Sequence, residues 1–150
     1  MAWWRRKPKG TDDVRPPSDE ETADLMRRLA DEFVLNSRAA DLFDYTVESI
    51  TALEVLIGTL LESASPADLD KGFSLGMGAY VGEVIVRHGT GARWSYDAEQ
   101  RAAVVQGAEF AAYPVFKVSK RFTLGPQHSL VQFVRAAIDD EMPPEARELP

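Results

Sequence analysis

The sequence of 150 residues contains no cysteine and only two histidines. Without a thiol, the chain forms no disulfide, no thiolate zinc or iron–sulfur site and no cysteine nucleophile. His88 and His128 are far apart and outside any HExxH-type spacing, so we interpret them as surface or capping residues. We therefore predict no bound metal, no cofactor and no catalytic residue.

Long apolar runs and the common enzyme motifs are also missing. No run approaches the roughly 18 apolar residues of a membrane-spanning helix. The sequence has no G-x-S-x-G elbow and no P-loop, and no G-x-G-x-x-G follows a predicted strand. The basic N-terminus is not followed by an apolar segment of the kind found in secretory signals. These absences, with the lack of cysteine, favour a cytoplasmic protein.

The charge is unevenly distributed along the chain. The formal net charge is −7, yet residues 1–15 hold five basic and two acidic residues. An acidic body argues against general nucleic-acid binding. Residues 1–17 contain three prolines and a glycine, which predict a flexible basic arm.

The arm contains an apolar pair followed by three cations, a combination typical of membrane interfaces. The residues concerned are Trp3, Trp4, Arg5, Arg6 and Lys7. One hypothesis is contact with a partner or weak contact with an anionic membrane surface, because each cation contributes only about 1 kcal/mol there. The alternative is a tail whose tryptophans fold back onto the domain.

The first two helices have clear signals. Ser18 with Glu21 forms a capping box at the start of a helix that should end near 36–37. We expect its core stripe at Leu25, Leu29 and Phe33, with Met26 and Ala30 beside it. A second helix, from about 47 to 63, has a wide apolar stripe and should be largely buried.

The segment 69–87 is the centre of the predicted fold. Apolar residues cover more than one face of this helical pattern, and it contains glycines at 72, 76, 78 and 82. Each glycine costs about 1 kcal/mol relative to alanine, so we expect close neighbours there, in the second helix and in the sheet. The alternative is a break at 72–78. We expect Gly89 to end the helix in a left-handed conformation.

Strand and helix signals follow this segment. Segments 92–96, 102–106 and 109–113 predict a three-stranded antiparallel meander. Two helices follow, over 115–122 and from 127 or 129 onward, and 140–150 should be a flexible tail. We therefore predict a single α+β domain over 18–139: two N-terminal helices, a long glycine-containing central helix, the meander and two C-terminal helices.

Tyr80, Glu83, Arg87 and Trp94 are the tentative ligand-binding residues. Glu83 and Arg87 are four residues apart in the favourable order for a helical ion pair. A carboxylate near two aromatic side chains is a candidate ligand or general-base group. The alternative is a structural ion pair between the helix end and the following strand. A second candidate is a basic face for partner contact at Lys117, Lys120 and Arg121, with a solvated helix face as the alternative.

The pattern from Gly78 to Arg87, followed by Gly91 and Trp94, is G-x-Y-x-G-x-V-I-x-R…G-x-x-W. It resembles small bacterial domains of unknown function, of the actinobacterial type, and the likeness covers roughly 44–122. The resemblance implies a fold with a short β-meander and carries no activity.

We interpret the chain as a non-enzymatic interaction or regulatory module that binds another protein. Two alternatives stay open. One is a small-ligand binder or enzyme centred on the Tyr80 to Trp94 group, and the other is a peripheral membrane protein tethered by the arm. The sequence leaves the oligomeric state undetermined.

Overall fold

The computed structural model describes residues 15–139. The predicted tail and all but three residues of the predicted arm lie outside this range. The elements are α1 Asp19–Ser37, α2 Ser49–Leu61, α3 Pro66–His88, β1 Arg93–Asp97, β2 Ala102–Gln106, β3 Ala111–Ala112, α4 Pro114–Leu124 and α5 Leu130–Ile138. The α+β class and the three-stranded antiparallel sheet are confirmed.

Helix α3 is the element on which the others pack. It is continuous over 23 residues, so the alternative of a break at its glycines is wrong. It contacts the other four helices and strands β1 and β2. Every residue from Met77 to Ile85 is buried, which explains why no single apolar face is visible in its sequence.

Two of the α3 glycines allow a close approach of other elements. A Cβ atom at Gly78 would lie 2.5 Å from the Cα of Val115, which is backbone at the start of α4. A Cβ atom at Gly82 would overlap the ring of Trp94 from β1. The expectation of a close neighbour in the sheet is thus correct at Gly82. The expectation of a neighbour in α2 is wrong, because α4 takes that place at Gly78.

Helix α1 begins as its sequence predicts, with both hydrogen bonds of the Ser18–Glu21 capping box present. Its buried face includes Met26 and Ala30, which were predicted beside the stripe, while the stripe itself is less buried. The buried residues are Thr22, Met26 and Ala30, whereas Leu25 is 44% exposed. Apolar residues span a wide arc of this helix, so its period alone did not fix which row faces α3.

The sheet has the order β1-β2-β3, with Trp94 opposite Val105 in the antiparallel register. The chain turns from α3 into β1 at Gly91, whose φ is +70°, whereas the backbone of Gly89 is extended. Gly89 is the C-cap of α3, as predicted, but the left-handed conformation predicted for it is wrong. None of the helices within 15–139 combines the length and the apolar character needed to cross a bilayer.

Gly78→Ala should destabilise the fold, because its methyl group would meet backbone that has no rotamer to change. We expect a loss of about 1–3 kcal/mol, the usual cost of overpacking, measured by urea unfolding. Gly72→Ala is the matched control in the same helix. No described atom would lie within 4 Å of its Cβ, so it should stabilise by up to about 1 kcal/mol through helix propensity. A neutral Gly78→Ala would contradict the close-contact interpretation.

Candidate functional site

Glu83 lies in the last turns of α3 and is only 5% exposed. Its Oε2 accepts a hydrogen bond of 2.8 Å from the indole Nε1–H of Trp94 in β1. Its Oε1 accepts a bond of 3.2 Å from Nε–H of Arg87, one turn later. The carboxylate thus joins the end of the central helix to the first strand, and each of its oxygens has a donor.

Arg87 connects this carboxylate to an aromatic stack. Its guanidinium carbon lies 3.6 Å from the centroid of the Tyr45 ring, a cation–π geometry. The Tyr45 ring in turn stacks on Tyr80, with centroids 4.9 Å apart. All four predicted site residues therefore belong to one network. Glu83, Arg87 and Trp94 meet in it directly, and Tyr80 joins through Tyr45.

Tyr45 lies in the connector between α1 and α2, and sequence reasoning missed it. Its backbone is left-handed at φ +66°, and it makes three hydrogen bonds to α1 and α3. Its amide donates to the Tyr80 hydroxyl at 3.0 Å, and its carbonyl accepts from His88 Nε2 at 2.8 Å. Its hydroxyl donates to Asp31 at 2.5 Å. The only sequence signal was its position within 44–122, the range that the resemblance covers.

The phenols of this network are poor proton donors and acceptors at neutral pH. Burial, followed by the hydrogen bond to the Asp31 carboxylate, raises the pKa of Tyr45 well above its ordinary value near 10. Burial likewise raises the pKa of Tyr80. Since Glu83 already accepts two hydrogen bonds, the network fits a structural clamp better than acid–base chemistry.

An open depression of about 300 Å³ lies beside the clamp. Glu83 and Trp94 contribute to its lining, whereas Arg87 and Tyr80 do not. Its remaining lining residues mix both charge signs and are Asp19, Glu20, Ala23, Arg27, Val86 and Arg93. Within 15–139, no group of three or more His, Asp or Glu side chains is placed to hold a metal ion.

The predicted basic face on α4 needs a correction at Arg121. This residue is buried at 7% exposure, and its Nε donates to Glu54 of α2 at 2.8 Å. The second carboxylate oxygen of Glu54 accepts from the amide of Leu130 at 2.7 Å. Arg121 therefore joins α4 to α2 and is not a surface cation. Lys117 and Lys120 are half-buried, with the Lys117 ammonium 5.7 Å from the Phe133 ring centroid.

A larger depression than the one beside the clamp lies where the end of α1, the connector and α2 meet. We call it the apolar groove. It encloses about 380 Å³, and its described lining residues are all uncharged: Phe33, Asn36, Ser37, Ala39, Leu42, Phe43, Ala52, Val55, Leu56, Thr59, Leu60 and Phe73. Three of these are large apolar side chains that remain exposed, Leu42 at 55%, Val55 at 66% and Phe73 at 37%. Clustered exposed apolar residues of this kind mark binding surfaces.

The apolar groove continues between α1 and α3. A second hollow of about 230 Å³ shares Phe33, Asn36 and Phe73 with it and extends to Gly72 and Gly76. A Cβ at Gly72 would meet no described atom within 4 Å. This glycine therefore weakens the helix without allowing the close approach of another described residue. It leaves the hollow between α1 and α3 open.

Acidic residues predominate in the segments that form the groove. Residues 31–73 contain nine acidic and two basic residues. Glu48 and Glu62 cap the two ends of α2, in line with the helical row that includes Val55 and Thr59. Glu32 lines the hollow that adjoins the groove, whereas Glu54 is paired with Arg121. The groove is therefore an apolar surface formed by segments whose net charge is negative.

Comparisons with protein-family models, with curated proteins and with solved structures find no match to this chain. Functional inference therefore depends on the geometry of the chain itself.

Glu83→Gln tests the clamp. A glutamine has one acceptor oxygen, so either Trp94 or Arg87 loses its partner, and we expect a destabilisation of about 1–3 kcal/mol. Combination with Trp94→Phe should be less than additive, because without the indole N–H the single glutamine oxygen can serve Arg87 and no donor loses its partner. Urea unfolding measures both effects, with Glu99→Gln in the exposed β1–β2 turn as the control. An unchanged unfolding midpoint in Glu83→Gln would rule out the clamp.

Alkaline pH should destabilise the fold through its tyrosines. Burial, then the hydrogen bond that Tyr113 donates to Asp97, raises the pKa of Tyr113 to about 12. Between pH 10 and about 12 the unfolded chain releases a proton that the folded chain retains. Stability is therefore complete below pH 10 and falls as pH rises. In Tyr113→Phe the urea midpoint should fall less between pH 8 and 11 than in the wild type. An equal fall would contradict this assignment.

Proposed function

We propose that this protein is a non-enzymatic interaction module of the cytoplasm, and that its apolar groove binds a segment of another protein. The carrying observation is the groove itself, which combines uncharged lining residues, three exposed large apolar side chains and an acidic neighbourhood. The segment that fits is an amphipathic helix, with apolar side chains toward the groove and Lys or Arg on its flanks.

The walls of the groove support a helical occupant. The groove lies between helices and adjoins the hollow at Gly72 through three shared lining residues, so it is an open surface rather than a closed pocket. Helix-in-groove recognition places apolar residues of the ligand at i, i+3 or i+4, and i+7. A second copy of this chain is a poor occupant, because the same acidic segments would face each other.

The ligand-binding or enzymatic alternative has less support. Its candidate carboxylate, Glu83, is buried and hydrogen-bonded by two side chains of the protein. The depression beside it excludes Arg87 and Tyr80 from its lining. The tether alternative depends on Trp3 to Lys7, which lie outside the described residues. The resemblance to small bacterial domains stays a prediction and adds no activity.

Substitution in the groove provides the test. Val55→Asp introduces a carboxylate at a 66% exposed position of the lining. The probe is a synthetic amphipathic helix with leucines on one face and lysines on the other. We expect Val55→Asp to weaken its binding at least about tenfold, or roughly 1.4 kcal/mol, as measured by calorimetry. Purely electrostatic attraction predicts the opposite result, because the variant gains a negative charge.

Leu124→Asp is the matched control. Leu124 is 56% exposed and lies at the end of α4, outside the groove lining. This variant should bind the peptide as the wild type does, and both variants should keep the wild-type urea midpoint. Equal binding by all three proteins would refute the groove as the binding surface. Proteins from the native cell that the control captures and Val55→Asp does not are the candidate partners.

A further inference from the structure

The N-terminal arm has the chemistry that the apolar groove requires. Trp3 and Trp4 supply apolar surface, and Arg5, Arg6 and Lys7 follow them directly. The groove presents an uncharged lining within segments that contain nine acidic residues and two basic ones. Both parts of the arm therefore have a complement in the groove, the tryptophans in its lining and the cations in its surroundings.

The arm is long enough to reach the groove. Helix α1 starts beside Ser18, and the groove begins at Phe33, fifteen residues later. At 1.5 Å per residue this separation is about 22 Å. Arg15, the first described residue, is held at the first turn of α1 by Glu21. Trp4 precedes Arg15 by 11 residues, and a chain of that length extends to about 36 Å. The tryptophans can thus enter the groove with slack in the segment between them and α1.

The charge of the lining residues distinguishes the groove, whose lining is uncharged, from a second apolar hollow within reach. A hollow of about 230 Å³ lies next to the base of the arm and is lined by Pro17, Leu25, Leu75 and Phe116, among others. Among its described lining residues Arg101 alone is charged. A cation there disfavours a segment with three adjacent cations, in spite of the shorter distance.

We propose that the arm docks in cis in the apolar groove through Trp3 and Trp4 and competes there with the partner segment. This proposal rests on the proposed function, because it assigns to the arm the surface that the partner uses. Docking of the arm would lower the apparent affinity for a partner, since a partner must displace it.

The absence of cysteine gives a direct experiment. In the full-length chain, Thr59→Cys provides a unique thiol in the groove lining for a bimane dye, whose fluorescence tryptophan quenches on contact. We expect quenching in this protein and its loss when Trp3→Phe and Trp4→Phe are added. Trp94 is present in both proteins, so any quenching that it causes is the same in both and does not affect the comparison. Quenching should also weaken at 1 M salt, where the Debye length falls to about 3 Å.

A bimane at Leu75→Cys is the matched control, because Leu75 lines the hollow near the base of the arm. Quenching at this position that depends on Trp3 and Trp4, with none at 59, would overturn the proposal in favour of the nearer hollow. Quenching that grows with protein concentration would overturn it in favour of exchange between copies. An absence of arm-dependent quenching at both positions would also overturn it.

Peptide binding separates this proposal from the proposed function. The leucine–lysine peptide should bind more tightly to the Trp3→Ala, Trp4→Ala protein than to the wild type, as measured by calorimetry. Equal affinity for the two proteins, with Val55→Asp still defective, would reject the competing arm and leave the groove as a binding surface. If the peptide binds neither the wild type nor any of these variants, the proposed function is rejected.

Discussion

The arrangement of the domain depends on the close approach of α4 to α3 at Gly78. Val115 meets the helix there at a distance that leaves no room for a side chain. This contact places Pro114 against the next glycine, Gly82, where the Trp94 ring also packs. The central helix can therefore contact α4 and the sheet along adjacent turns. Its glycines weaken the isolated helix and allow the packing that buries it.

The buried polar network extends this arrangement to the apolar groove. Glu83 and Arg87 fix the end of α3 relative to β1 and to the Tyr45 ring. Tyr45 belongs to the same connector as Phe43, whose ring packs on Tyr80 with centroids 5.6 Å apart. Phe43 also lines the groove. The clamp thus positions one wall of the proposed binding surface. In this way a network that performs no chemistry contributes to the proposed binding function.

Particular residues show what local patterns predicted and where they failed. The Ser18–Glu21 capping box needs only neighbouring atoms, so its sequence signal was sufficient. The ion pair of Glu83 and Arg87 was visible for the same reason, as a spacing of four on one helix. Arg121 was misplaced because its partner, Glu54, lies 67 residues away in the sequence. Tyr45 was missed because its interactions come from α1 and from the far end of α3.

The sequence by itself determined the α+β class, the central helix and the charge asymmetry, since these follow from composition, periodicity and local capping. Only the tertiary structure decided what lies against each glycine. Gly78 and Gly82 admit neighbours, whereas Gly72 opens onto the groove, although all three share the same helical pattern. It also decided where apolar side chains stay exposed, because Leu42, Val55 and Phe73 come from three separate segments. A surface assembled from distant residues has no period along the chain.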